Sequence, residues 1–199
     1  TGPLWHISIG LQQAWTYITH IRAVGQNTCL ESLTMIRPDL AAIPAYVPGT
    51  SDPEALKLSS NEVAGQPLPA AAEAMAKAAI TGNRYPDMGT TQLRTALGKH
   101  LGVDPGNIAV GCGSSALCQQ LAQATSTPEN NIVFPWRSFE AYPIFCRIAG
   151  AEPRPVPLLD DGHLDLHTIA CTIDERTSLV YLCSPNNPSG AVVTRAEFD

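Results

Sequence analysis

Residues 109–121 read AVGCGSSALCQQL, an apolar run followed by a glycine-rich corner and a helix-forming segment. This order predicts a strand that turns tightly at Gly111 and Gly113 and leads into a helix from Ser114. Backbone N–H groups at a helix start point outward with partial positive charge, so the corner favours an anion, and a phosphate fits it well. In the alternative interpretation, Ser114 only caps the helix and the glycines only shape the turn.

The segments around this corner alternate between strand and helix patterns. Strands are predicted in NIAVG (107–111), NIVFP (131–135), EPRPVPL (152–158, an edge strand) and TSLVYLCSP (177–185, the most buried strand). Helices are predicted in residues 68–82, 90–102, 114–126, 138–150 (interrupted near Pro143), 164–173 and 194–198. The alternation predicts an α/β protein with a mainly parallel, doubly wound sheet. Because the last helix runs into Asp199, we expect this chain to be a fragment with an incomplete sheet.

The composition argues against two classes of partner. The 199-residue chain has a formal net charge of −6 and scattered lysines and arginines, so it offers no basic face to nucleic acid. The apolar stretch 4–21 is interrupted by His6, Gln12 and Gln13 and is not a membrane span. A hydrophobic fraction of 44% with 15% charged residues is typical of a globular protein.

The cysteines and histidines do not predict a metal site. The six cysteines form no Cys-x-x-Cys pair and have mostly apolar neighbours, so we expect buried, reduced thiols in a cytoplasmic protein. They are Cys29, Cys112, Cys118, Cys146, Cys171 and Cys183. His163 and His167 lie four residues apart, but their segment begins as a turn, so we expect both at the surface.

Three regions differ in composition. Residues 1–34 hold one acidic and one basic residue and lack the pattern of a secretory signal, so they are an extension of unknown role. Met35 then begins an ordinary sequence, and we expect it to be the natural start. Residues 35–69 are punctuated by prolines and predict an arm laid over another surface. Residues 70–199 carry the alternating elements of the sheet domain.

One loop after a predicted strand offers an amide side chain. SPNNPSG (184–190) follows TSLVYLCSP, at the carboxyl end of a strand, where open α/β sheets bind ligands. Asn187, held before Pro188, is its candidate ligand-binding residue. The alternative is a plain turn, since all of these residue types form turns.

A second loop offers aromatic rings. PWRSFEAYP (135–143) carries Trp136, Phe139 and Tyr142 just past a strand end, where a ring could stack on a flat ligand. Core packing is the alternative, and we favour it for Trp136 and Tyr142.

The glycine corner also admits a different class of enzyme. Residues 111–116 match Gly-x-Gly-x-x-Ala, the fingerprint of an NAD-binding Rossmann-type oxidoreductase. That fold needs an acidic residue after the next strand to bind a ribose, but NIVFP is followed by Trp136 and Arg137, and Glu129 precedes it. The oxidoreductase is therefore the weaker interpretation. A non-catalytic phosphate-binding module ranks third.

Six motifs, in order, resemble fold-type I pyridoxal-phosphate aminotransferases of the histidinol-phosphate and aromatic amino-acid (phenylalanine) aminotransferase family. They are RPDLAAIPAYVPG (37–49), KLSSNE (57–62), NRYPDMG (83–89), VGCGSSALCQQL (110–121), FPWRSFEAYPIF (134–145) and LVYLCSPNNPSG (179–190). The resemblance runs from Arg37 to about Asp199. It implies the large domain of that fold and the cofactor pyridoxal 5'-phosphate.

The resemblance also implies roles for individual residues at the cofactor. Ser114 and Ser115, with the amide after Gly113, match the phosphate-binding corner of the family. Phe139 matches the aromatic residue stacked on the pyridine ring. Asn187 matches the asparagine that hydrogen-bonds the phenolic oxygen of the cofactor.

Other matches imply a partner and a substrate site. Tyr85 matches a tyrosine that reaches the phosphate of the neighbouring subunit, which implies a homodimer. Tyr46, Asn61 and Glu62 match the arm that borders the substrate. The substrates implied are an aromatic amino acid and a 2-oxo acid such as 2-oxoglutarate, with histidinol phosphate as the alternative amino donor.

The catalytic lysine of the family has no match in this chain. The lysines are Lys57, Lys77 and Lys99, and none lies in a corresponding motif. In the family the lysine follows a strand beyond the stretch matched here. We therefore expect the 199-residue chain alone to show no turnover with pyridoxal phosphate, an aromatic amino acid and 2-oxoglutarate.

Overall fold

Helices and strands alternate through the part of the chain that the computed structural model describes, residues 37–45, 52, 54–56, 63 and 65–198. The helices are α1 (Pro69–Ala79), α2 (Thr91–Leu101), α3 (Gly113–Thr125), α4 (Tyr142–Ala149), α5 (Leu166–Thr172) and α6 (Arg195–Phe198). The strands are β1 (Asn131–Trp136), β2 (Glu152–Pro157) and β3 (Thr177–Val180). Short 3-10 helices span Pro38–Ala42 and Pro105–Asn107.

The three strands form a parallel sheet in the order β2–β1–β3, with helices on both faces. Successive side chains of β1 point to opposite faces. Ile132 and Phe134 pack with Ala122 of α3 and Phe145 of α4, whereas Val133 packs in a second cluster that includes residues of α5. The predicted α/β fold with a doubly wound parallel sheet is therefore confirmed.

Strand β2 tolerates three prolines because of their spacing. In a parallel strand, the backbone N–H groups of successive residues point alternately to one side of the strand and to the other. The N–H of Leu158, just past β2, donates to the Trp136 carbonyl of β1. The N–H groups of alternate residues thus face β1, and the prolines at 153, 155 and 157 fall on the other side, where no described strand pairs. The predicted edge strand is confirmed.

Two strand predictions are wrong. NIAVG (107–111) forms no strand in the described part of the chain; Ile108 is extended, but no described segment pairs with it. TSLVYLCSP was expected to be the most buried strand, yet β3 is half-buried along its length, and β1 is buried from Asn131 to Pro135. Among the described strands β1 lies between two neighbours, whereas β3 has one, and this difference sets their burial.

Two expectations about single residues also need correction. Pro143 does not interrupt a helix but lies in the first turn of α4, where the missing N–H has no helical partner to lose. Cys146 is buried as expected, and burial raises the pKa of its thiol to about 12. Cys112 and Cys171 are exposed instead, because they lie at the glycine corner and on the outer side of α5.

The start of the proline-punctuated segment, at Arg37, contacts the end of α4. The Arg37 guanidinium donates to the Arg147 and Ile148 carbonyls at 2.7 and 3.0 Å. A cation near the carbonyl end of a helix satisfies acceptors that have no partner within the helix. Most of residues 46–64 lies outside the described part.

A polar cluster joins the three strands at the amino edge of the sheet. Asp174 accepts a hydrogen bond from the Asn131 amide at 2.9 Å and one from the Arg154 guanidinium at 2.6 Å. These hydrogen bonds lower the pKa of Asp174 from its ordinary value near 3.8 to about 2, and the bond from Asn131 has the largest effect. The charged carboxylate is thus favoured by the fold.

This cluster predicts a pH-dependent loss of stability. Between about pH 4 and 2 the unfolded chain binds a proton at Asp174 and the folded chain does not, so the free energy of unfolding falls as the pH falls through this range. An Asp174→Asn variant lacks that contribution. We expect urea denaturation to show a less stable variant at pH 6, with the difference from wild type shrinking towards pH 2. A difference that is constant over this range would contradict the assignment; Asp160→Asn, in an exposed turn, is the control.

Helices α1 and α2 leave much apolar surface uncovered within one chain. No residue of α1 is buried, and Met75 and Ile80 are exposed. Leu93 and Leu101 of α2 are also exposed. None of the described helices has the length and apolar character needed to cross a membrane.

Candidate functional site

The glycine corner and the two predicted loops lie at the same edge of the sheet. Helix α3 is followed after five residues by β1, so the helix returns along the sheet and its N-terminus lies near the carboxyl ends of the strands. The Tyr181 hydroxyl, just past β3, donates to the Cys118 carbonyl in the second turn of α3 at 2.6 Å. This bond fixes the start of α3 beside the end of β3.

The start of α3 is open and suited to an anion. Gly113 has a positive φ of 78°, and a Cβ atom there would meet nothing within 4 Å. Ser114 and Ser115 are exposed, and the side chain of Cys112 makes no capping hydrogen bond. The start of α5 differs, because its Asp165 side chain accepts from the Thr168 N–H. The helix-start N–H groups of α3 and two hydroxyls therefore face open space together.

An aromatic cluster supports the loop after β1. Tyr142 stacks on Tyr181, with ring centroids 4.4 Å apart and an interplanar angle of 5°. Phe139 meets Tyr142 edge-on at 5.6 Å and is half-buried. Trp136 and Tyr142 pack with the core, as expected for them. Burial raises the pKa of the Tyr142 and Tyr181 phenols.

The loop after β3 has one buried and one exposed asparagine. Asn187, the residue predicted from the sequence, is exposed, and Asn186 is 2% exposed. The Asn186 side chain accepts from the Ser138 hydroxyl at 2.6 Å and donates to the Ser189 hydroxyl at 2.9 Å. Sequence reasoning missed this role of Asn186; the doubled asparagine was the signal that could have indicated it.

Of the other predicted site residues, one lies away from this edge and three lie outside the described part of the chain. Tyr85 lies in the turn between α1 and α2 and is 98% exposed. Tyr46, Asn61 and Glu62 lie outside the described residues. The structure thus gathers Gly113, the two serines, Phe139 and Asn187 at one edge, with an open helix start, an aromatic ring and an amide loop.

The sequence matches a known family over most of its length. The family described as "Aminotransferase class I and II" matches residues 53–199. An aromatic amino acid aminotransferase of Corynebacterium diphtheriae is 63% identical over 164 residues, which are 82% of this chain and 48% of that protein. One from Rhodococcus jostii is 50% identical over 163 residues, 82% of this chain and 46% of that protein. The chain spans about half the length of these curated relatives.

Solved structures share the fold. Histidinol-phosphate aminotransferase from Sinorhizobium meliloti, determined in complex with pyridoxal-5'-phosphate, has a TM-score of 0.68 at 25% identity and covers 79% of this chain and 44% of its own. Aromatic aminotransferase from Pyrococcus horikoshii has a TM-score of 0.56 at 26% identity, covering 65% of this chain and 38% of its own. With the family match, these likenesses confirm the resemblance found in the sequence motifs: the chain belongs to the class I and II aminotransferases.

Proposed function

We propose that the intact gene product containing this chain is a pyridoxal-phosphate-dependent transaminase that moves an amino group between an aromatic amino acid and a 2-oxo acid. The observation that carries the proposal is the joint position of the α3 start, Phe139 and Asn187 at the carboxyl edge of the sheet. Open α/β sheets bind ligands at this edge.

The chemistry of these residues fits the cofactor. A phosphate needs several donors, and the α3 start offers N–H groups, two serine hydroxyls and the open space at Gly113. A pyridine ring needs a flat apolar neighbour, and Phe139 is held edge-on by Tyr142 with part of its surface free. A phenolic oxygen needs a donor, which the exposed Asn187 amide can supply. When bound, pyridoxal phosphate acts as an electron sink for the amino-acid carbanion.

The amino donor is the finer part of the proposal. The Corynebacterium and Rhodococcus relatives carry the name aromatic amino acid aminotransferase, which favours phenylalanine or tyrosine over histidinol phosphate. The test is turnover by the intact gene product with each donor and 2-oxoglutarate. We expect a higher kcat/KM for the aromatic donors. Preference for histidinol phosphate would overturn the donor, and no turnover with any donor by the cofactor-loaded protein would overturn the activity.

The 199 residues alone are a useful negative control. Lys77 and Lys99 lie on exposed positions of α1 and α2, and Lys57 is outside the described residues. We expect no transamination from this segment by itself, because none of its three lysines lies in a motif that matches the catalytic lysine of the family. Measurable turnover would place the reactive amine among these three.

We further propose that the protein is a cytoplasmic homodimer in which Tyr85 serves the cofactor of the other subunit. The exposed Tyr85 ring and the uncovered apolar residues of α1 and α2 support a second copy as the covering surface. We propose neither a nucleic-acid nor a membrane partner, because the substrates are small molecules and the net charge of the chain is negative.

A Tyr85→Phe variant tests the role of the phenol. Loss of one hydrogen bond to a charged phosphate weakens cofactor binding by about tenfold. The free energy of unfolding should stay unchanged, since the hydroxyl is exposed in one chain. Equilibrium titration measures the affinity for pyridoxal phosphate, and light scattering measures the oligomeric state. A monomeric protein whose affinity does not respond to the substitution would contradict this assignment.

A further inference from the structure

The loops that carry Phe139 and Asn187 are joined by one buried polar pair. The Ser138 hydroxyl donates to the Asn186 side-chain oxygen at 2.6 Å, and the two residues are 1% and 2% exposed. Ser138 directly precedes Phe139, and Asn186 directly precedes Asn187. The contact therefore lies immediately behind the two residues proposed to hold the cofactor ring.

The hydrogen bonds of Asn186 determine how its side chain is oriented. Its Nδ2 donates to the Arg137 carbonyl at 3.3 Å and to the Ser189 hydroxyl at 2.9 Å. A carbonyl only accepts, so the amide must turn its nitrogen towards Arg137 and its oxygen towards Ser138. Ser189 in turn donates to the Gly162 carbonyl at 2.8 Å. Both donors and the acceptor of the Asn186 amide are used, which links the loop after β1 to the loop after β3.

The backbone of Asn186 also closes its own loop. Its N–H donates to the Ala191 carbonyl and its carbonyl accepts from the Gly190 N–H, both at 2.7 Å. A residue fixed by its side chain and by both backbone groups has little freedom. Since consecutive Cα atoms are about 3.8 Å apart, the position of Asn186 restricts that of Asn187, and Ser138 restricts Phe139 in the same way.

We propose that Ser138 and Asn186 are positioning residues whose hydrogen bond sets the separation of the Phe139 ring and the Asn187 amide, and so the plane of the bound cofactor. This inference rests on the proposed function. Neither side chain touches the cofactor, because both are buried behind their neighbours. Their removal should misplace Asn187 rather than delete its donor.

The chain provides a matched control at the opposite edge. The Ser126 hydroxyl lies 2.7 Å from that of Ser178, and Ser126 is 8% exposed. It follows α3 and precedes β1, so it lies at the start of the strands, whereas both loops lie at their carboxyl ends. Ser126→Ala and Ser138→Ala each delete one hydroxyl from a largely buried pair, so both should lower the urea midpoint.

The experiment uses the intact gene product and pyridoxal 5'-phosphate as the probe. Ser138→Ala should raise the dissociation constant by about tenfold, which corresponds to a loss of about 1.4 kcal/mol of binding free energy through the misplaced Asn187. A donor on the phenolic oxygen favours its ionised form, so a misplaced Asn187 should also shift the pH midpoint of the bound cofactor's absorption change upwards. Ser126→Ala should leave both quantities within experimental error of wild type. Ser138→Thr, which keeps the hydroxyl, should restore them.

A double variant separates positioning from general weakening. If Ser138 acts through Asn187, Ser138→Ala should cause little further midpoint shift in an Asn187→Ala background. A full shift in that background, or equal effects of Ser138→Ala and Ser126→Ala on affinity, would overturn the inference. If Ser138→Ala does not fold, Ser189→Ala is the substitute, because it removes an exposed hydrogen-bond partner of Asn186. It should shift the pH midpoint of the absorption change in the same direction by a smaller amount. An unchanged midpoint in this variant would count against the inference. Failure of the wild-type protein to bind the probe would instead overturn the proposed function, and this inference with it.

Discussion

Replacement of Ser115 by glutamate should abolish tight binding of pyridoxal phosphate while leaving the fold intact. Ser115 is exposed in the first turn of α3, whose opening turn carries no acidic residue. A carboxylate near the start of a helix stabilises it, so the free energy of unfolding should stay equal or rise. The same carboxylate beside a phosphate at about 4 Å costs about 4 kcal/mol in a partly screened site, which corresponds to about a 1,000-fold loss of affinity.

Two controls make this result specific. Gln120→Glu places the same charge on an exposed position farther along α3 and should change affinity little. Pyridoxal, which lacks the phosphate, should bind the Ser115→Glu variant and the wild type alike. Equilibrium titration by absorbance gives each dissociation constant. A Ser115→Glu variant that binds pyridoxal phosphate within twofold of wild type would mean that the phosphate lies elsewhere.

Replacement of Asn187 by alanine should lower kcat for transamination by about 100-fold, the usual effect of deleting one oriented donor in an active site. The pH midpoint of the bound cofactor's absorption change should rise in the same variant, because the ionised phenolic oxygen loses its donor. Asn187 is exposed and follows a buried asparagine that fixes the loop, so the loop should remain in place.

The matched control for this second prediction is Asn130→Ala. Asn130 lies at the other edge of the sheet, where its side-chain oxygen accepts from the Thr127 N–H at 2.8 Å. Its loss should lower the urea midpoint and leave kcat and the absorption midpoint close to wild type. If the Asn187 and Asn130 variants lose kcat equally, Asn187 has no specific role at the cofactor.

Local patterns predicted much of this fold. The helices over residues 69–79 and 91–101 follow from strong helix formers bounded by Pro69 and Gly102, and Gly102 adopts the left-handed conformation of a helix end. The helix predicted over residues 194–198 begins with a capping box, in which the Thr194 N–H and hydroxyl both donate to Glu197 at 2.7 Å. Such features depend on residues three or four apart, which a sequence displays directly.

Features that depend on distant partners were not predictable in the same way. NIAVG has the composition of a strand, but a strand also needs a neighbour, and none of the described segments pairs with it. The burial of β3 depends likewise on what lies beside it. The choice between Asn186 and Asn187 as the buried residue depends on Ser138, which is 48 positions away in the chain.

The sequence suggested the residues of the candidate site, but not the contacts between side chains that hold their loops in place. The resemblance implied cofactor-binding roles for Ser114, Ser115, Phe139 and Asn187. The structure places their segments at one edge of the sheet, and the roles themselves stay predictions. The sequence did not indicate the Tyr142–Tyr181 stack, because ring contacts between separate elements leave no periodic pattern.

A structure of the intact gene product determined with pyridoxal 5'-phosphate would show directly where the cofactor binds. We expect the phosphate within about 3 Å of the Ser114 and Ser115 hydroxyls and the first N–H groups of α3. We also expect the pyridine ring on Phe139 and the phenolic oxygen beside the Asn187 amide. A phosphate bound away from the start of α3, or a ring that contacts neither Phe139 nor Asn187, would contradict the proposed cofactor site.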